Sequence, residues 1–260
     1  MPFIVVGHGW LSLHFTRSRD NVHVVRTWAL AVLAFVVVGC AEPGPEPEPG
    51  AVTSLAPTPT QRERVSADPR IRPIADRQWR RMQATAVVRP GCPAQRDDLR
   101  RVEVNFHGWD DRIDRGVLIV HRDVAKDVAA IFSDIFDAGF PIRSMRPIEE
   151  FGGDDNASMA ADNTSAYNCR DAAQSNSAPA DSPHANGRAI DINPRENPWW
   201  DPRCACFMPT AKHAERTRGK GKILSGGPVW KAFTQRGWIW QDIATPDYQH
   251  FDTGYPSRPW

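Results

Sequence analysis

The chain has 260 residues, with 32 Lys plus Arg against 31 Asp plus Glu, so its length allows one or two domains and its charge balance gives no global reason to bind nucleic acid. Hydrophobic residues make up 41% and charged residues 24%, which excludes a chain disordered throughout, a disulfide-only miniprotein and an acidic tail protein. The 23 prolines cluster towards the front, so an irregular leading part is expected ahead of a packed remainder.

Trp28 to Val38 (WALAVLAFVVV) is an apolar run preceded by Arg17, Arg19 and Arg26, the basic and apolar parts of an export signal. As a helix it would cover about 16 Å, about half of a bilayer's hydrocarbon core, which disfavours a spanning segment. The run ends in Val37-Val38-Gly39-Cys40, similar to a lipobox. This predicts a lipoprotein-type signal over 1–39, with Cys40 as the lipidated first residue of the mature chain. Residues 1–23 exceed what such a signal needs, so translation is expected to start near Val24 or Val25, from a non-AUG codon. Residues 40–61 (CAEPGPEPEPGAVTSLAPTPTQ) hold almost nothing to bury and read as a semi-rigid tether. The expected location is the cell envelope, on the outer face of the cytoplasmic membrane or secreted, with the lipid as the only membrane contact.

Residues 62–91 read as a basic linker with one short helix around Ala75 to Ala84, and the packed domain is expected over 92–260. Val102, Val104 and Phe106 alternate with polar neighbours, and Val117 to His121 is a second apolar run, so both predict strands. Asp123 is placed to cap a helix over Val124 to Ala138, whose Val124, Val128, Ile131, Phe132 and Ile135 share one face; Gly139 stops it. Ile142 to Ile148 reads as a further strand. After Phe151 the pattern dissolves into a Gly/Asp/Asn/Ser-rich stretch of about forty residues, a length that loops reach inside a compact domain mainly for function or disorder.

Ser182-Pro-His184-Ala-Asn-Gly187-Arg-Ala189-Ile-Asp191 leads from that stretch into an alternating strand, Arg188 to Asn193. There Ala189, Asp191 and Asn193 share one face and Ile190 and Ile192 the other. Gly187 lets the chain turn so that the His184 imidazole folds back towards Asp191. Far downstream, Asp247-Tyr-Gln-His250-Phe-Asp252 supplies a second imidazole and, three residues before it, another carboxylate. Two His and one Asp suit one zinc ion, with a fourth position left open, the arrangement of catalytic rather than structural sites. Asp252 falls on the face of His250, as a partner for that imidazole or as a rival carboxylate. His107, His121 and His213 read as ordinary surface or hydrogen-bonded histidines.

The pattern S-x-H-x-x-G-x-A-x-D, followed later by an acidic residue, two others and His, resembles the LAS-type zinc peptidases of the D-alanyl-D-alanine carboxypeptidase family. Ser158 to Arg170 (SMAADNTSAYNCR) and Gly237-Trp-Ile-Trp240 are similar to its segments too. The resemblance implies an α+β fold in which a small antiparallel sheet carries the zinc site between flanking helices, as in Hedgehog-like domains. It also implies His184, Asp191 and His250 as zinc ligands, Asp247 as general base, Arg170 as the cation that steadies carbonyl and oxyanion, and Ser165 on the substrate side. The departure is Gln241-Asp242-Ile243, where many relatives continue with Gly-Gly-x-Trp. The implied activity is hydrolysis of peptidoglycan stem peptides, as a D-alanyl-D-alanine carboxypeptidase acting as a monomer. An L-Ala-D-Glu-type endopeptidase and a non-catalytic zinc-holding envelope domain are the alternatives.

Apart from Cys40 the cysteines are Cys92, Cys169, Cys204 and Cys206, an even number in a chain read as exported, so two disulfides are expected. Cys204 and Cys206 stand close in sequence, which favours Cys92 and Cys169 each pairing with one of them, in either order. Trp199, Trp200, Trp230, Trp238 and Trp240 read as core or wall residues, with a sugar-stacking platform as the alternative.

Overall fold

The computed structural model describes residues 65–169 and 182–254, all of which fall within one unit, Gln61–Trp260. Cys40, the tether and Arg170 lie outside the described residues. Strand β1 (Arg70–Pro73) and helix α1 (Asp76–Ala84) precede the long hairpin of β2 (Leu99–His107) and β3 (Ile113–His121), and the three strands form an antiparallel sheet in the order β1-β2-β3. From Val102 onward β2 alternates buried and half-buried residues, because its period-two pattern turns Val102, Val104 and Phe106 to one face. Helix α2 (Ala125–Asp137) lays Val128, Ile131, Phe132 and Ile135 onto that face, as the spacing of those residues predicts.

Next come β4 (Ser144–Met145), helix α3 (Asp155–Ala160) and β5 (Asn163–Thr164), with β4 and β5 parallel. The second sheet contains β6 (Ala189–Asp191), β7 (Trp199–Asp201), β8 (Cys206–Met208), β9 (Ile239–Gln241) and β10 (Asp247–Asp252). Its antiparallel order is β6-β10-β7-β8, with β9 also paired to β10. Helix α4 (Pro228–Thr234) packs behind it, Phe233 stacking on Phe251 with ring centroids 4.1 Å apart. One apolar cluster joins α2, α4 and the inner residues Ile190, Ile192 and Phe251; the other gathers Met82, Leu99, Ile119, Ile148, Tyr167 and Ala185 around Cys92 and Cys169. The fold is the α+β class the sequence implies, with small antiparallel sheets and four helices among the described residues.

Several boundaries move. Packing starts before Cys92: β1 pairs with β2, and Ile74 and Met82 are buried in the second cluster. Although residues 62–91 carry much positive charge, Ile74, Met82, Val87 and Val88 all join that cluster, while Val65 and Ile71 stay exposed. Asp123 does not cap α2, whose N-cap is Val124 without a side-chain bond; its carboxylate instead accepts from the Arg188 guanidinium at 2.7 Å. The strand expected over Ile142 to Ile148 shrinks to two residues, since the chain passes through Pro147 into a short 3₁₀ turn, Ile148–Phe151. The Gly/Asp-rich stretch holds α3, capped by the Asp154 side chain accepting from the Ala157 amide at 3.1 Å. The strand expected over Arg188 to Asn193 ends at Asp191, because Asn193 turns into the left-handed region at φ 45°.

The cysteine pairing is also corrected. Cys92 bonds to Cys169 and Cys204 to Cys206. The neighbours pair because Ala205 between them adopts a left-handed φ of 49°, folding the β7–β8 turn until their Cα atoms stand 5.2 Å apart. That is within ordinary disulfide reach. Cys92 and Cys169 meet inside the second apolar cluster, far along the chain from one another.

Candidate metal centre

Two strands and one turn build the site. β6 and β10 are antiparallel with Asp191 directly opposite His250, so both side chains leave the sheet on one face, close together. His184 reaches them from the turn before β6, where the Gly187 amide donates to the His184 carbonyl at 3.0 Å and the Arg188 amide to the Pro183 carbonyl at 2.8 Å. Gly187 has φ +66°, and a Cβ there would come within 2.7 Å of the His121 backbone nitrogen. Only glycine fits both demands, and the His121 amide in turn donates to the Gly187 carbonyl at 2.8 Å, pinning the turn to β3.

The three side chains converge beneath the surface. His184 and Asp191 are each 4% exposed and His250 9%. His184 Nε2 lies 3.2 Å from Asp191 Oδ2, and His250 Nδ1 lies 3.0 Å from Asp191 Oδ1. The two ring nitrogens are 3.1 Å apart, and one ligand atom from each residue lies within 4.8 Å of the others, so the group could hold a metal ion. The outward ring nitrogens decide how well it fits one. His184 Nδ1 sits 2.7 Å from the Ala166 carbonyl oxygen, which requires a proton on Nδ1 and leaves the Nε2 lone pair facing inward. His250 Nε2 sits 3.1 Å from Asp252 Oδ2, which likewise turns the Nδ1 lone pair inward. A carbonyl and a carboxylate behind two imidazoles are the supports that orient histidine ligands of metals.

Burial works against a charge on His250, yet the bonds to Asp191 and Asp252 and the charges of Asp191 and Asp247 raise its pKa to about 10. Asp191 is opposed by burial too, but the two imidazoles drive its carboxyl far below the usual range.

Asp252 is 2% exposed and fully engaged: Gln241 Nε2 donates to Oδ2 at 2.7 Å and the Gly254 amide to Oδ1 at 2.6 Å. It stands on the far side of His250 from the ligand cluster, as a partner of the imidazole. Asp252→Asn should weaken zinc binding by about 10- to 100-fold, the usual cost of losing such a support, in a competitive chelator titration. Unchanged affinity would deny it that role.

Asp247 heads β10, its backbone in register with Gln241 and Trp199. Three positions separate it from His250, which on a regular strand would set the two on opposite faces. The β9–β10 register shifts between Asp247 and Phe251, the kind of irregularity that re-aims a side chain, and the Asp247 charge acts on His250. Ser165 is buried and its backbone exchanges hydrogen bonds with that of Asp191, at 2.9 and 3.0 Å, so the Ser158–Cys169 segment borders the centre. Of the tryptophans, Trp199 and Trp238 are buried, whereas Trp200, Trp230 and Trp240 are partly exposed.

Two features carry no local signal. Gln241, met in the sequence only as a departure, holds Asp252. A buried carboxyl pair, Asp162 and Glu196, joins the turn before β5 to the turn after β6. Arg143 Nε donates to Asp162 Oδ2 at 2.8 Å, the Arg195 amide to Asp162 Oδ1 at 2.8 Å, and Arg143 lies 3.5 Å from Glu196. Burial, then the hydrogen bond and charge of Asp162, push Glu196 up to about 7. The folded protein thus binds more protons than the unfolded chain between the ordinary carboxyl value and about 7, and stability from this site falls as pH rises through that window. Glu196→Gln should flatten the slope, read as urea midpoints at pH about 5 and about 8; an unchanged slope would contradict the assignment.

The fold and the centre define a mixed α+β domain with a candidate three-ligand metal site. Residues 175–253 match the family model described as D-alanyl-D-alanine carboxypeptidase, which bears out the resemblance over that segment to a family of zinc peptidases. His184, Asp191, Asp247 and His250 all lie inside the match, while Ser165 and Arg170 precede it. At the level of the family, the match supports a hydrolase acting on peptidoglycan. No curated protein and no solved structure matched the chain.

Proposed function

We propose that this protein is a zinc-dependent D-alanyl-D-alanine carboxypeptidase that trims peptidoglycan stem peptides in the cell envelope. The observation that carries the reading is the convergence of His184, Asp191 and His250 on one buried point, inside the matched segment, with Asp247 on the same strand as His250. His184 Nε2, one Asp191 oxygen and His250 Nδ1 would hold the ion, which when bound supplies Lewis acidity towards a carbonyl and a water. The chain's own groups do the rest. Asp252 and the Ala166 carbonyl keep the imidazoles aimed, the Asp247 carboxylate takes up a proton and returns it to the departing amine, and Arg170 offers fixed positive charge to the developing oxyanion. Ser165, beside Asp191, borders the peptide.

Digestion of purified peptidoglycan, with products identified by mass spectrometry, tests the bond cut. Loss of a single terminal D-alanine is expected. Cleavage after L-alanine would assign an endopeptidase instead, and intact peptides with zinc bound would assign a non-catalytic domain. The same proposal places the mature chain on the outer face of the cytoplasmic membrane through a lipid on Cys40, with residues 40–61 as its tether. Mass spectrometry of the mature N-terminus should find diacylglyceryl-modified Cys40; an unmodified Cys40, or a start elsewhere, would refute the anchor.

A further inference from the structure

The two disulfides sit in opposite surroundings. Cys92 and Cys169 are 4% and 2% exposed, packed among Leu99, Ile119 and Tyr167 and separated by 77 residues. Cys204 is exposed and Cys206 half-buried, at the tip of the β7–β8 hairpin, with only Ala205 between them. Three physical terms make the second bond the easier to open. A thiolate can reach the Cys204 sulfur without unfolding, whereas the Cys92–Cys169 sulfurs are shielded. Closing so short a loop restricts the unfolded chain far less than closing a long one, so the bond receives little support from chain entropy. Ala205 is held at φ 49°, a left-handed conformation in which an L residue with a Cβ is strained, and opening the ring lets it relax.

We propose that Cys204–Cys206 is a thiol–disulfide exchange site, opened by dithiols while Cys92–Cys169 stays closed. One thiolate of the dithiol attacks the Cys204 sulfur, the bond to Cys206 breaks, and Cys206 leaves as a thiolate that takes up a proton. The second thiol of the reductant, deprotonating, then displaces Cys204. The dithiol is oxidised to a disulfide and the protein pair is reduced to two thiols. The inference does not rest on the peptidase reading, since neither cysteine touches the metal centre. Opening frees the turn that carries Phe207, which stacks on Tyr248 with centroids 6.1 Å apart, so the hairpin tip is the part of the second sheet that changes.

The test is a dithiothreitol titration of the oxidised full chain without denaturant, with differential alkylation and peptide mass spectrometry at each step. Cys204 and Cys206 should become labelled at reductant concentrations at least about tenfold below those that open Cys92–Cys169, because exposed and strained bonds are the reducible ones. Ala205→Gly, which accepts the left-handed turn without strain, should raise the dithiothreitol needed at Cys204–Cys206 by about fivefold or more. Labelling of both pairs together, earlier opening of Cys92–Cys169, or an Ala205→Gly titration identical to wild type would overturn the proposal.

Discussion

Replacing His184, Asp191 or His250 by Ala should abolish bound zinc and hydrolysis together, because each change removes one of the three residues proposed to hold the ion. Loss of a supporting residue behind a ligand already costs about 10- to 100-fold in affinity, and loss of the ligand itself should exceed that. Asp191→Ala carries a second penalty. Its two oxygens stand 3.2 and 3.0 Å from the imidazoles of His184 and His250, so removing the carboxylate takes a hydrogen-bond partner from both buried rings at once, whereas His184→Ala leaves the Asp191–His250 contact in place. Leaving buried polar groups without a partner costs about 1 to 3 kcal/mol. Asp191→Ala should therefore unfold at markedly lower urea than His184→Ala, and equal midpoints would show that the carboxylate is not holding the cluster. Elemental analysis of the purified variants reads the metal; full zinc in any of the three would remove that residue from the ligand set.

The second large effect is expected at Asp247. Asp247→Asn should keep stoichiometric zinc and the wild-type urea midpoint yet lose about 10² to 10⁴-fold in turnover, the usual contribution of a general base. The rival carboxylate is Asp252, which differs from Asp247 in its surroundings. Asp252 is bound to Gln241, His250 and the Gly254 amide, with its oxygens committed behind the ligand. Asp247 is half-buried at the head of β10, ahead of the His–Asp–His cluster in the chain. Near-normal turnover in Asp247→Asn, with a large loss in Asp252→Asn, would reverse the assignment.

The candidate centre was readable in the sequence because the three residues that could hold a metal sit where local rules place them. His184 and Asp191 are separated by a glycine turn and a strand entry, and His250 lies on a strand whose alternation also puts Asp252 beside it. What could not be read depends on contacts made across the chain. Gln241 reaches Asp252 only because β9 lies against β10, and Glu196 meets Asp162 only once two turns far apart in sequence are brought together. The disulfide pairing turned on the backbone of Ala205: sequence proximity argued against a Cys204–Cys206 bond, and one left-handed residue permits it. The early start of the packed domain was hidden for a related reason. Ile74, Met82, Val87 and Val88 are few among many arginines, but the second cluster, with the Cys92–Cys169 bond, collects them all.

If a single zinc ion held by His184, Asp191 and His250 makes this chain a peptidoglycan peptidase, its hydrolysis of stem peptides must follow the metal. The full-length protein is stripped with a chelator and zinc is returned stepwise while that hydrolysis is followed. Activity should be absent in the stripped protein and rise to its full value at one equivalent of zinc per chain, with His184→Ala silent throughout. Full hydrolysis by the stripped wild-type protein, or zinc-restored hydrolysis in His184→Ala, would contradict that dependence.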